Sequence, residues 1–246
     1  MKRILVLLLA VVVTAGLLLS GCGGGTDKIQ VATDATWPPF EYVDTDSGKI
    51  VGFDIDLFTE IAKEANLDIE FVNVEWDPLL AGVAQGTYDC AISSITIKED
   101  RKAQMDFSDP YYIAGQVIVT LEESTSITGP ESLSGKKVGV QTGTTGDDEA
   151  QAIEGAEVVG YDEIGMAFVA LMGKQIDAVV CDTPVASGYL SKYDTLTTAG
   201  EVLTTEEYGI AFPKGNADLV SKVNEALAKV KAAGKIEELV QKWLVD

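Results

Sequence analysis

Histidine is absent from this 246-residue chain. That removes the commonest general base and the commonest metal ligand, so neither a Ser-His-Asp nor a Cys-His site can be built. Cysteine is scarce: Cys22, Cys90 and Cys181 are the full set, with no Cys-x-x-Cys spacing for zinc. No metal and no cofactor is expected. Basic residues are few, 18 Lys and Arg against 39 Asp and Glu, for a formal net charge of −21. Such a surface argues against nucleic acid or anionic lipid as partners. Most of the acidity reads as solubility, with attraction of cationic solutes a second use. Long apolar runs are also missing, apart from Ile4–Leu19. Its 16 residues fall short of the roughly 20 that span a bilayer.

That run follows Lys2 and Arg3 and leads into Leu19-Ser20-Gly21-Cys22. A basic start, an apolar centre and small residues before the cut form a secretory signal; a single transmembrane helix is the bland alternative. Leu19–Cys22 resembles a bacterial lipobox, which implies lipid on Cys22 and loss of residues 1–21. Two or more acyl chains hold a protein stably, at ~0.8 kcal/mol per buried CH₂. Residues 22–27, with Gly23-Gly24-Gly25, then read as a flexible tether. Loss of Lys2 and Arg3 makes the mature chain more acidic still.

What remains is long enough for one large domain or two lobes with real cores. Its grammar is β-α-β-α-β: strands at Lys28–Thr33, Glu70–Val74 and Asp89–Ser93, with a helix over Asp54–Asn66. A second helix is expected to be capped by Asp77, with Pro78 first in it. The same grammar recurs, with strands at Lys136–Gln141 and Ile176–Cys181 and a helix over Asp162–Gly173. Gly86 to Ser94 aligns with Gly173 to Asp182 as a weak internal repeat. Two similar α/β lobes follow from this. Ligands of open α/β sheets bind beyond the carboxyl ends of the strands. Asp34, Ser93, Ser94, Gln141, Cys181 and Asp182 fall at such ends. Cys90 and Cys181 read as reduced buried thiols, a bridge between them being the alternative. Asn216 is placed to cap the first of two C-terminal helices, and Gly234 to separate them.

The ordered motifs Asp34-Ala35-Thr36-Trp37-Pro38-Pro39-Phe40-Glu41-Tyr42, Val51-Gly52-Phe53-Asp54-Ile55-Asp56-Leu57, Ala91-Ile92-Ser93-Ser94-Ile95-Thr96-Ile97 with Arg101, and Asp106-Phe107-Ser108-Asp109-Pro110-Tyr111-Tyr112 fill the first half. Val138-Gly139-Val140-Gln141-Thr142-Gly143-Thr144-Thr145, the stretch from Asp177 to Pro184, and Tyr208-Gly209-Ile210-Ala211-Phe212-Pro213-Lys214-Gly215 fill the second. Together, across residues 28–246, they closely resemble the polar amino-acid solute-binding proteins of ABC importers. The resemblance implies a type II periplasmic-binding fold, α/β and two-lobed. Lobe one would be 28–111 plus 208–246 and lobe two 113–206, with crossings near Tyr112–Gly115 and Thr204–Glu207 as the hinge. It implies a free L-amino acid as ligand, an ABC-importer permease as partner and no enzyme activity. It also implies a monomer, lipid-anchored on the outer face of the cell membrane or the periplasmic side.

Residue by residue, the resemblance gives Arg101 the ligand's α-carboxylate, which a guanidinium matches as a rigid fork; alone, Arg101 reads as a surface arginine beside Glu99 and Asp100. It places the Thr96 hydroxyl and the Ser94 backbone near the α-groups. Thr144 and Thr145 open a helix whose free N–H groups suit a carboxylate, although simple capping explains them too. Asp147, Asp148 and Glu149 would repel that anion and are expected to point away. Asp182 is assigned the α-ammonium. Trp37 and Trp76 are expected to wall the side chain, core packing being the alternative, while Asp34 and Gln141 receive its tip. Gln141 and Cys181 depart from relatives that suit glutamine or carry histidine. Ser93-Ser94 resembles the basic amino-acid binders, so arginine is the first expectation, followed by lysine, ornithine and glutamine. An exported cyclohexadienyl dehydratase on the same scaffold is the competing class, and it needs a free cleft acid.

Overall fold

The computed structural model describes residues 28–245. The signal segment, Cys22 and the tether of residues 22–27 lie outside the described residues. Two five-stranded sheets organise the chain, and they share one plan. In the first, Ile29–Thr33 lies between Ile69–Asn73 and Cys90–Ala91, both parallel to it. Ala211–Pro213 and Met105–Phe107 complete that sheet antiparallel. In the second, Lys137–Gln141 lies between Glu157–Tyr161 and Ala178–Asp182, again parallel, followed by antiparallel Gln116–Leu121 and Leu196–Ala199. The repeat read from Gly86 and Gly173 is thus a repeat of topology.

A two-stranded ribbon joins the sheets. Tyr112–Ala114 pairs antiparallel with Glu206–Tyr208, one crossing outward and one returning. The Ile97 N–H binds the Glu207 carbonyl at 2.8 Å, which ties the ribbon to the first lobe.

Helices pack on these sheets through their apolar stripes. Phe53–Ala65 buries Phe53, Leu57, Phe58, Ile61, Ala62 and Ala65, the 3- and 4-residue spacing of one helical face. Gly52 precedes it at φ 136°, where a side chain would strike the Phe40 carbonyl; only glycine enters the helix this way. Asn66, left-handed at φ 50°, ends it. The C-terminal helices Ala217–Ala232 and Lys235–Trp243 are separated by Gly234 at φ 70°. The first of them packs on Phe53–Ala65.

Several local expectations shift. The helix expected to start after Asp77 spans Trp76–Ala84, so Glu75 takes the cap position and Pro78 is its third residue. Proline fits there because the first N–H groups of a helix have no intrahelical partner. Asn216 stands at a helix start without a side-chain capping bond. The strand expected over Asp89–Ser93 shortens to Cys90–Ala91. Beyond it Ser94 turns into the left-handed region at φ 49°, which few non-glycine residues adopt. Cys90 and Cys181 are free, buried and in different sheets, so the bridged alternative falls away.

Candidate functional site

All eleven residues singled out as ligand-binding line a single cavity of about 310 Å³ between the lobes: Asp34, Trp37, Trp76, Ser93, Ser94, Thr96, Arg101, Gln141, Thr144, Thr145 and Asp182. Glu41 lines it too. The shared topology explains the convergence. Asp34 and Ser93 follow the ends of neighbouring parallel strands in one sheet, while Gln141 and Asp182 end neighbouring strands in the other.

The two lobes touch across this cavity. Gln141 Nε2 donates to Asp34 Oδ2 at 2.9 Å, and Trp76 Nε1 donates to the Gly143 carbonyl at 3.0 Å. Gly143 has φ 74°, and a side chain there would press on Asp77 and the Trp76 ring. At the rim, Lys98 Nζ meets Asp148 Oδ2 at 2.6 Å. The acidic trio after Thr145 is absent from the cavity lining. Asp147 accepts the Gly143 N–H at 3.1 Å, whereas Asp148 and Glu149 line an adjoining groove.

One end of the cavity is built around Arg101, which is 5 % exposed. Its guanidinium donates to the Thr96 carbonyl at 3.1 Å and to the Gly143 carbonyl at 3.4 Å. Five N–H donors in a planar fork leave others for the cavity. Burial lowers its pKa, opposed by the acids Asp100, Asp182, Asp148 and Glu206. The guanidinium lies over the Trp76 ring, 5.1 Å from its centroid. Trp76 therefore supports the protein's own arginine as well as lining the cavity. Thr144 caps the helix Thr145–Ala152 by accepting the Asp147 N–H at 3.3 Å.

Asp182 stands near Arg101 and is held by neutral donors. Gln116 Nε2 donates to its Oδ1 at 2.8 Å, and the Tyr208 hydroxyl donates to its Oδ2. Burial raises its pKa to about 6, with Glu206 adding to the rise.

The other end holds acids without a cation. Asp34 accepts the Thr36 hydroxyl and the Gln141 amide, yet burial raises its pKa to about 6, and Glu163 and Glu75 push the same way. Gln141 Oε1 and Trp37 Nε1 are buried without hydrogen-bond partners. Both atoms belong to residues that line the cavity.

Sequence reasoning missed Glu41 and, behind it, Asp54. Both are fully buried. Glu41 accepts the Ser93 hydroxyl at 3.2 Å and the Ser94 hydroxyl at 3.4 Å. Asp54 accepts the Ser94 N–H at 2.8 Å and the Tyr111 hydroxyl at 2.7 Å. Burial and the Asp54 charge raise Glu41 well above the carboxylate range. Burial raises Asp54 as well, to about 7, but the Ser94 N–H and the Tyr111 hydroxyl oppose that rise. This carboxyl pair fixes Ser94 in its left-handed turn. The sequence carried no signal for Glu41 beyond its place after Phe40 in the motif. Among the described residues, no group of three or more acids and cysteines is placed to hold a metal.

The sequence profile of the bacterial extracellular solute-binding proteins, family 3, matches residues 29–246. The chain belongs to this family. It is 34 % identical over 218 residues to the L-cystine-binding protein TcyJ of Escherichia coli K12, covering 87 % of this chain and 82 % of that protein. It is 33 % identical over 256 residues to the arginine-binding extracellular protein ArtP of Bacillus subtilis, covering 99 % and 98 %. Among solved structures, the arginine-, lysine-, histidine-binding protein ArtJ of Geobacillus stearothermophilus superposes with a TM-score of 0.83 at 39 % identity. That match covers 89 % of this chain and 96 % of ArtJ. The family member described here thus has the two-lobed type II periplasmic-binding fold with a hinge of two crossing segments. Its role is solute binding outside the cytoplasm, and the enzyme alternative is set aside.

Proposed function

We propose that this family member captures a polar L-amino acid, arginine or another basic one first and glutamine next, and delivers it to an ABC-importer permease. The observation that carries the reading is the polarity of the cavity. Arg101, the N-terminus of Thr145–Ala152 and Asp182 offer one donor set and one anion, the complement of an α-carboxylate and an α-ammonium. Asp34 and the unpartnered Gln141 Oε1 offer acceptors at the far end, where Trp37 supplies an aromatic wall. A guanidinium has several N–H donors, a positive charge and a flat face for an indole, so it answers all three. Relatives named for arginine, and for arginine, lysine and histidine, favour the same ligand class. An amide side chain would satisfy the acceptors but not the charge, which is why glutamine comes second.

Closure follows from the two crossings. Residues 28–111 with 208–246 rotate against 113–206 about the ribbon, and the ligand brings the walls together. Lipid on Cys22 holds the monomeric receptor beside its permease, on the outer face of the membrane or in a periplasm.

Calorimetry of the purified protein against the common amino acids tests the reading. Arginine should give the tightest binding, at one site per chain. Absence of heat with every amino acid would sink it, and a preference for an acidic or apolar one would move the assignment away from Asp34. The anchor has its own test: labelled palmitate should enter the wild type and not Cys22→Ser.

A further inference from the structure

The returning hinge strand Glu206–Tyr208 carries a carboxylate whose bonds reach both lobes. Glu206 is 8 % exposed. Its Oε2 accepts the Thr96 hydroxyl at 2.7 Å and the Thr145 hydroxyl at 2.8 Å. Its Oε1 accepts the Thr204 hydroxyl at 2.8 Å. Thr96 comes from the segment after Cys90–Ala91, Thr145 opens a helix of the other lobe, and Thr204 belongs to the return crossing. Three hydroxyls from three parts of the chain thus converge on one side chain.

A carboxylate only accepts hydrogen bonds, and a hydroxyl has only one proton. Each threonine must give that proton to Glu206, so lone pairs are all it has left. Thr145 uses one of its own to accept Gln116 Nε2 at 3.1 Å. Thr96 lines the ligand cavity close to the Arg101 guanidinium, which binds its carbonyl.

We propose that Glu206 is a positioning residue for ligand recognition: it makes the Thr96 hydroxyl an obligate acceptor, so that this end of the cavity selects an ammonium. The proposal rests on the amino-acid reading above. A hydroxyl free to rotate would donate to a carboxylate as readily as it accepts from an ammonium. Held by Glu206, it can only accept. Thr96 and Asp182 then present lone pairs together, Arg101 presents donors, and the ligand's α-groups have one orientation. Glu206 itself stays behind the two threonines and need not touch the ligand.

The test compares arginine with 5-guanidinopentanoate, which keeps the carboxylate and guanidinium and lacks the ammonium. Hydrogen bonds to a charged group contribute about 1.5–3 kcal/mol, so the wild type should prefer arginine by roughly 100-fold or more. Glu206→Leu removes both acceptor oxygens and frees the hydroxyls, as Glu206→Gln does where its N–H₂ group faces Thr96. Either should cut the preference by about tenfold, weakening arginine while the analogue stays within about threefold. Thr96→Val should do the same, Thr96→Ser should restore the preference, and Glu206→Gln should add little in the Thr96→Val background. A Glu206 that only held the hinge together would weaken both ligands alike, and an unchanged ratio overturns the proposal. If Glu206→Gln does not fold, an unchanged ratio in Thr96→Val overturns it equally. A wild type that binds both ligands equally refutes the ammonium selection alone, whereas one that binds neither refutes the arginine reading beneath it.

Discussion

Arg101 and Asp182 occupy one end of the ligand cavity, and each lowers the cost of the other's charge. Asp34 and Glu41 occupy the other end, where the charges acting on Asp34 are those of further acids. Both ends are equally buried, yet only the first is internally matched. On the proposed reading, the matched end recognises what every amino acid carries, and the unmatched end, complete only with a cation, decides specificity among amino acids. Asp34 and Asp182 are both raised to about 6, burial being the largest cause in each; the neighbours separate their roles.

The largest break in this comparison is Arg101→Ala. Among the described residues lining the cavity Arg101 is the one cation, so its loss leaves a ligand carboxylate desolvated and unpaired. Truncating one partner of a buried charge pair costs about 2–5 kcal/mol, an affinity loss of at least ~30-fold. Arginine and glutamine should suffer alike in calorimetry, since both carry the carboxylate. A loss confined to one of them would show that Arg101 reads the side chain instead.

Asp34→Asn breaks the other end. Arginine should weaken by about 1.5–3 kcal/mol, roughly 10- to 150-fold. Glutamine should change by less than about threefold, because an asparagine still accepts from an amide. Equal losses would mean that Asp34 acts through closure, by its bond to Gln141, and not through ligand charge.

Acid titration sharpens the contrast without any mutation. An acid of raised pKa binds its proton over the window below about pH 6, and the protonated form cannot pair with a cationic group. A ligand ammonium or guanidinium therefore binds fully above about pH 7 and progressively less as the pH falls through 6. Glutamine depends on Asp182 alone, arginine on Asp182 and Asp34. From pH 7 to pH 5 the dissociation constant should rise roughly tenfold for glutamine and roughly 100-fold for arginine. Asp34→Asn should make the two profiles parallel. Parallel profiles in the wild type would remove Asp34 from side-chain recognition.

The residues at strand ends were legible because chain order and strand pattern fix them. A parallel sheet gathers the ends of Ile29–Thr33 and Lys137–Gln141, and Asp34 and Gln141 come with them. Arg101 and Thr96 needed the family motif, since nothing in a short polar helix such as Glu99–Gln104 marks a buried cation. Glu41, Asp54 and Glu206 stayed hidden among 39 acidic residues. Each is buried by contacts distant in sequence: Ser93 for Glu41, Tyr111 for Asp54, Thr96 for Glu206. Alternation on the hinge strand was the available clue, with Glu206 and Tyr208 facing in and Glu207 out. Trp76 lines the cavity, and its contact with the Arg101 guanidinium was not legible in the sequence.

The smallest expected effect lies at the rim, where Lys98 and Asp148 join the lobes in water. The Asp148 side chain is 62 % exposed, and exposed pairs contribute about 0.2–1 kcal/mol. Lys98 also meets Asp100 at 3.1 Å within its own lobe, which stabilises it before closure and reduces the gain from Asp148. Lys98→Ala should therefore weaken arginine and glutamine equally, by less than about fivefold. Because solvent ions screen the pair, the difference from wild type should vanish in molar salt. The buried bonds to Glu206 are shielded from that screening. A salt-resistant defect in Lys98→Ala would thus locate the closing contact at the rim, whereas a salt-sensitive one leaves it with Gln141, Trp76 and Glu206 inside the cleft.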